Sequence, residues 1–339
     1  LEGSEVGQQQ LFQFGVYAGS VSGTPNGLTS GSDDDLAAIC EALDELQGDE
    51  GRPLVVRAYL HYQGAQALDE VGLNGGDDLF SQRFCECLSE SRRLDLVLCF
   101  HDLTGDVSGW KRAIAFAIER YATKLERLQI TEEANVKFNT GAIDGDYPNI
   151  VQALVDGVVF ARAELDRRGR TGVPVGFSVA PALFGSGANG FWTDLKLIAS
   201  SAFVSALGYV GADFFPDVFF PVALDELPGS VSFLLQHFRD SMTSAGLSPQ
   251  TPLIVTESGW PTGPNRSVER QSEVLRSIVE TVYAQRQQFK ILGYTWFALR
   301  DSDSTSADLF HQFGLLHSDY TQKPAFHVLK ALIRERQAS

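Results

Sequence analysis

Apolar and polar positions along the chain follow two rhythms. Short, nearly continuous apolar runs at 11–16, 53–60, 94–100, 125–131, 173–179, 206–215, 253–257 and 291–297 have the length and composition of buried strands. Between them lie longer stretches with apolar residues at helical spacing. The clearest is Leu36, Ile39, Leu43 and Leu46, opened by Asp33, Asp34 and Asp35, whose charges suit a helix N-terminus. Further helices are expected over 77–93, 110–124, 150–168, 191–201, 230–245, 268–288 and 324–336. The segments 19–32, 139–147 and 181–190 are rich in turn-forming residues and read as loops.

Strand and helix therefore alternate eight times, at intervals of roughly 30 to 45 residues, as βα units do. No linker or composition shift divides the chain. The expected fold is α/β, a single (β/α)8 TIM barrel over residues 11–339, with residues 1–10 a polar, disordered or added tail. A doubly wound open sheet is the alternative, but the first strand-to-helix turn lacks its phosphate-binding glycine pattern.

The candidate chemistry sits at strand ends. Leu253-Ile254-Val255-Thr256 runs into Glu257, after which Ser258-Gly259 and Trp260-Pro261 break the strand. Leu128-Gln129-Ile130-Thr131 runs into Glu132-Glu133. On one face of a barrel, two distant strand-end carboxyls suit cleavage of a glycosidic bond: one protonates the leaving oxygen, the other attacks the sugar or activates water. A solvated pair opening a helix is the other reading of Glu132-Glu133. Neighbours on an extended chain point oppositely, so only one of the two should face the barrel mouth. Arg57, within an apolar strand, requires a carboxylate partner. His101 ends the third strand and Asp213 lies near the end of the sixth.

Composition narrows the partners. A formal charge of −16 argues against nucleic acid, which needs clustered Lys and Arg, and fits a neutral substrate. No apolar run reaches the ~18 residues of a membrane span. Cys40, Cys85, Cys87 and Cys99 read as buried thiols, since Cys85 and Cys87 are too close for an easy bridge. No second close Cys or His pair completes a zinc set, so no metal or other cofactor is expected. A monomer is expected, and the compartment stays open.

Val255-Thr256-Glu257-Ser258-Gly259-Trp260-Pro261-Thr262-Gly263 closely resembles the nucleophile segment of glycoside hydrolase family 17, the β-1,3-glucanases of plants and fungi. The order of elements resembles the wider clan A of retaining TIM-barrel glycosidases. That resemblance implies a retaining hydrolase of a β-linked glucan or related β-glycan, with Glu257 as nucleophile and Glu133 as acid/base. It also puts Glu132 where the clan has a sugar-binding Asn. Glu132 can accept from a hydroxyl but offers no amide N–H. Trp296 resembles the clan's platform under the reacting sugar, and Arg57 its support for the nucleophile. His101 stands where members place a polar substrate contact. Phe215 stands where many have a Tyr bonded to the nucleophile, so that hydroxyl is missing there, and Tyr209 lies too early in its strand to replace it. Trp260, Trp110, Trp192 and the Phe219-Phe220 loop are candidates for outer sugar subsites. A transglycosylase would use the same residues. Two further rivals are a carbohydrate-binding barrel without catalysis and a metal-dependent hydrolase, although the latter's His-rich strand ends are absent.

Overall fold

The computed structural model describes residues 11–25, 27–29, 31–66, 71–74, 83–137, 141–181 and 188–337. Eight parallel strands close into a barrel: β1 (Gln13–Tyr17), β2 (Leu54–Tyr62), β3 (Arg92–Phe100), β4 (Leu125–Ile130), β5 (Val175–Val179), β6 (Leu207–Asp213), β7 (Leu253–Ser258) and β8 (Ile291–Trp296). Each pairs with its sequence neighbours, and β1 pairs with β8 and β2 to complete the ring. This is the expected (β/α)8 fold. The tail at 1–10 and much of the 181–190 loop lie outside the described residues.

Helices cover the barrel: α1 (Leu36–Gln47), α2 (Val107–Tyr121), α3 (Ile150–Arg167), α4 (Ala188–Ile198), α5 (Ser201–Ala206), α6 (Leu227–Ser244), α7 (Val268–Ala284), α8 (Arg286–Phe289) and α9 (Pro324–Gln337). Side-chain oxygens cap several starts. Asp35 accepts from the backbone of Ala37 and Ala38, Asp106 from Ser108 and Gly109, and Ser267 from Arg270. Helix α7 shows why these segments dock. Val274, Leu275, Ile278, Val279 and Val282 recur at helical spacing and are buried. Each such side chain contributes about 1.5–3 kcal/mol. Ile278→Asp would leave an unpaired charge in that layer.

Two expectations are corrected. The helix expected over 77–93 does not reach residue 93. Residues 75–82 lie outside the described set, a 3-10 turn occupies Cys85–Cys87, and β3 already begins at Arg92. The four cysteines are not all thiols. Cys40 of α1 and Cys87 form a disulfide with Cα atoms 5.1 Å apart, while Cys85 and Cys99 are not bridged. The 3-10 turn brings Cys87 against α1, a proximity no sequence spacing displays. No helix among the described residues is long and apolar enough to cross a membrane.

The barrel interior is not purely apolar. Beneath the mouth, the fully buried Asp95 receives both Arg57 and Arg127, each at 3.0 Å. Arg127 also reaches Gln13 and Thr295. Three charges are thus buried together, a net positive layer that favours a carboxylate above it.

Candidate active site

Glu257 stands at the carboxyl end of β7, above that charged layer. Its Oε1 accepts from Arg57 Nη2 at 3.1 Å and from the Tyr59 hydroxyl. Arg57 is held in turn: its Nη1 donates to Asp95 and to Gln129 Oε1, both at 3.0 Å, and its Nε to the Tyr59 oxygen at 2.8 Å. Gln129 is fixed by donating to the Thr131 carbonyl and to Ser178 Oγ. One oxygen of Glu257 therefore receives two hydrogen bonds, one charged, which stabilise negative charge on it. Burial first, and the carboxylates Glu257 and Glu132 after it, keep the Tyr59 hydroxyl protonated against the pull of Arg57.

Beyond β4 the chain leaves extended geometry. Thr131 and Glu133 have φ of 71° and 42°, a left-handed backbone that is strained for residues other than Gly. Hydrogen bonds hold it there. Asp144 Oδ2 accepts from the Glu132 amide at 2.8 Å and from the Phe100 amide at 2.9 Å, and Ser178 Oγ accepts from the Glu133 amide at 3.1 Å. The alternation expected for Glu132 and Glu133 is lost, and both line the same cavity as Glu257 and Asp213. This corrects the expectation that only one of them faces the mouth.

Four of the carboxyls lining this cavity, Glu132, Glu133, Asp213 and Glu257, thus interact with one another and with Arg57. Burial, then Glu257, push Glu132 well above the usual carboxylate range. Burial, then the charges of Asp213 and Glu257, do the same to Glu133. Burial and Glu257 raise Asp213 to about 7, although Thr256 Oγ1 donates to its Oδ1 at 2.5 Å. Arg57 opposes all three shifts. The site therefore offers a β7 carboxyl hydrogen-bonded by an arginine and a tyrosine, and carboxyls on β4 and β6 whose proton affinity is raised above the usual carboxylate range. Carboxyls held in environments that differ in this way can divide into an acid and a nucleophile or base.

The remaining sequence candidates divide. Glu132 and Phe215 line the cavity. Arg57 does not line it and acts on Glu257 from below. Trp296 is not among the lining residues. It is fully buried, and its indole N–H faces the Phe313 carbonyl at 3.3 Å. Its neighbour Phe297 takes the cavity side, as alternation at a strand end requires. His101 lies behind the cavity wall, with Nε2 3.2 Å from Asp144 Oδ1 and its ring stacked on Tyr147. Trp260 is buried and donates to Asp217, and Arg266 covers its ring. Trp110 is buried and bonds the Ala153 carbonyl. These side chains are committed to protein partners. Tyr209 is fully buried and absent from the lining, in keeping with its early place in β6.

Two site residues were missed from the sequence, Tyr59 and His61, and Asp213 was noted at its strand end without a role. Arg57, Tyr59 and His61 sit two apart on β2, so once Arg57 was placed inward, alternation alone pointed to the others. Asp213 ends its strand as Glu257 does. The register also pairs His61 with Cys99. His61, Cys99 and His101 consequently bring their ligand atoms within 4.8 Å of one another, and the Cys99 thiol donates to Glu132 Oε2 at 3.2 Å. These residues could hold a soft divalent ion, a grouping that linear spacing hid.

No family model and no curated relative matches the sequence. Solved structures do match. The chain superposes on a β-glucosidase from Exiguobacterium marinum with TM-score 0.65 and 13% identity, over 98% of this chain and 99% of that one. It also matches the glycoside hydrolase family 17 β-1,3-glucanosyltransferase from Rhizomucor miehei, with TM-score 0.57 and 16% identity over 95% and 98% of the two chains. A β-glucosidase from Thermotoga maritima in complex with deoxynojirimycin gives 0.60 and 9%, over 97% and 98%. The fold is shared with glycoside hydrolases. At these identities the likeness concerns the barrel, and the chemistry rests on the residues described above.

Proposed function

We propose that this protein is a retaining β-glycosidase. The observation that carries the reading is the contrast between Glu257, hydrogen-bonded by Arg57 and Tyr59, and Glu133, pushed toward its protonated form in the same cavity. In this reading Glu257 attacks the anomeric carbon, and Glu133 protonates the departing oxygen and then deprotonates the incoming water. Tyr59 supplies the hydroxyl that Phe215 cannot. Glu132, whose proton affinity is raised by burial and by Glu257, offers an O–H donor to the sugar 2-hydroxyl when it carries its proton. No step in this scheme requires a metal.

On the sugar side, a β-glucosyl unit is favoured by the resemblance of the Glu257 segment to family 17 and by the β-glucosidases and glucanosyltransferase that share the fold. By the same resemblance a β-1,3-linked glucan is the polymeric candidate. Transfer of the glucosyl unit to an alcohol instead of water would use the same residues.

Proton NMR of the first product formed from aryl β-glucosides tests the mechanism: a β-anomer is expected, and an α-anomer would refute retention. Glu257→Ala should lower turnover by about 10³-fold or more. Glu133→Ala should spare good leaving groups and be rescued in part by azide. If Glu132→Ala behaves that way instead, the acid is one residue earlier.

A further inference from the structure

The cavity holding the carboxyls has a volume of about 1760 Å³, well above the roughly 300–1,000 Å³ of ordinary ligand pockets. Its chemistry is uneven. Five phenyl rings make up one wall: Phe297, Phe215 and Phe313 form a triangle, with centroids 6.2, 5.6 and 5.9 Å apart, and Phe310 and Phe219 continue from Phe313 at 6.4 and 6.1 Å. Tyr17, stacked on Phe297 at 5.0 Å and edge-on to Tyr59, joins this wall to the charged centre. Toward solvent, Phe219, Phe220 and Phe233 line the same cavity and are 54%, 67% and 60% exposed. Large apolar rings kept in water beside a reacting centre mark a binding surface.

This wall is unsuited to a second sugar. A phenyl ring can meet the C–H face of a pyranose, but each sugar also carries hydroxyls that need donors and acceptors. Among the described residues, polar lining side chains away from the carboxyls are largely committed to the protein itself. Asn135 bonds both backbone groups of Ala180, Asp34 pairs with Arg300, and Asp217 holds Arg270 and Trp260. Lys137 and Glu226 stand exposed at the rim.

Resting on the glycosidase reading, we infer that the wall receives an apolar aglycone. The substrate is a β-glycoside of a long-chain or polycyclic alcohol, in place of the β-1,3-glucan that the resemblance of the Glu257 segment alone suggests. Cleavage breaks the anomeric C–O bond; the alcohol leaves with the proton of Glu133, and water supplies the hydroxyl that the sugar gains. Each methylene buried on this wall should raise kcat/KM by up to about fourfold.

The test is a homologous series of alkyl β-glucosides, methyl to decyl, each below its micelle concentration, beside laminari-oligosaccharides of increasing length. We expect kcat/KM to climb steadily with alkyl length and to stay flat with added glucose units. Phe219→Asn and Phe233→Asn, both at exposed positions that tolerate polarity, should each cut the octyl-to-methyl ratio at least about threefold. Calorimetric Kd values for the same series decide the matter independently of catalysis. If no glycoside is hydrolysed but Kd still falls with chain length, the glycosidase reading fails and the apolar site stands. Rates and Kd values indifferent to alkyl length, or rising affinity with glucose count, would overturn the inference.

Discussion

Replacing Asp213 by Asn tests the electrostatics of the site without changing its shape. The folded protein raises Asp213 from 3.8 to about 7, chiefly because the carboxyl is buried and next because Glu257 lies near. The folded state thus holds a proton that the unfolded chain releases near pH 4. Stability attached to this group is complete below that pH and is lost as pH rises through about 7. At about 1.4 kcal/mol per unit, a rise of some three units amounts to about 4 kcal/mol. Asn keeps the oxygen that accepts from Thr256 and cannot ionise. The variant should match wild type near pH 4 and exceed it by up to about 4 kcal/mol at pH 8. A chain of 339 residues unfolds with an entropy of about 0.7 kcal/mol per kelvin, so the pH 8 difference is a Tm gain of about 6 °C. Thermal melts of both proteins at half-unit steps from pH 4 to 8 measure it. A gap that is constant with pH, or a variant less stable at pH 8, would refute the reasoning. The same substitution removes a charge that raises Glu133, so the alkaline limb of kcat/KM should move to lower pH.

Other expectations follow from single contacts. Tyr59→Phe deletes the hydroxyl that donates to Glu257 and should lower kcat by about 10- to 100-fold with little change in fold, since a charge-assisted hydrogen bond contributes about 1.5–3 kcal/mol; steady-state kinetics and a melt separate the two effects, and a wild-type kcat would remove Tyr59 from the mechanism. Replacing Cys40 and Cys87 together by Ser opens a loop spanning 47 positions and should cost about 4 kcal/mol in urea unfolding, whereas Cys85→Ser should leave the midpoint unchanged. An unaltered midpoint in the double variant would show that the bridge does not constrain the unfolded chain.

The barrel was legible because its cause is local. A buried parallel strand must be apolar along its length and a covering helix apolar on one stripe, so each element announces itself within its own window. Glu257 was legible for the same reason, as a charge that interrupts an apolar run at the strand end where the mouth opens. Arg57 was legible as a charge that could not be left unpaired, and its partner was one of the carboxylates it finds. The end of β4 was not. The alternation rule assumes an extended backbone, and Asp144 and Ser178, contributed from other segments, hold Thr131 and Glu133 in left-handed conformations.

The order of strands and helices, the placement of carboxyls at their ends and the acidic balance of the surface were written in the sequence alone. What awaited the tertiary structure was every fact that depends on two distant segments meeting. These are the Cys40–Cys87 bridge, the Tyr59 hydroxyl on Glu257, the seclusion of Trp296 behind Phe297 and the wall of phenyl rings leading outward from the carboxyls. Periodicity records which face of an element is buried, because burial acts residue by residue. It carries no record of what the buried face touches, because contact is set by the register and closure of the whole barrel.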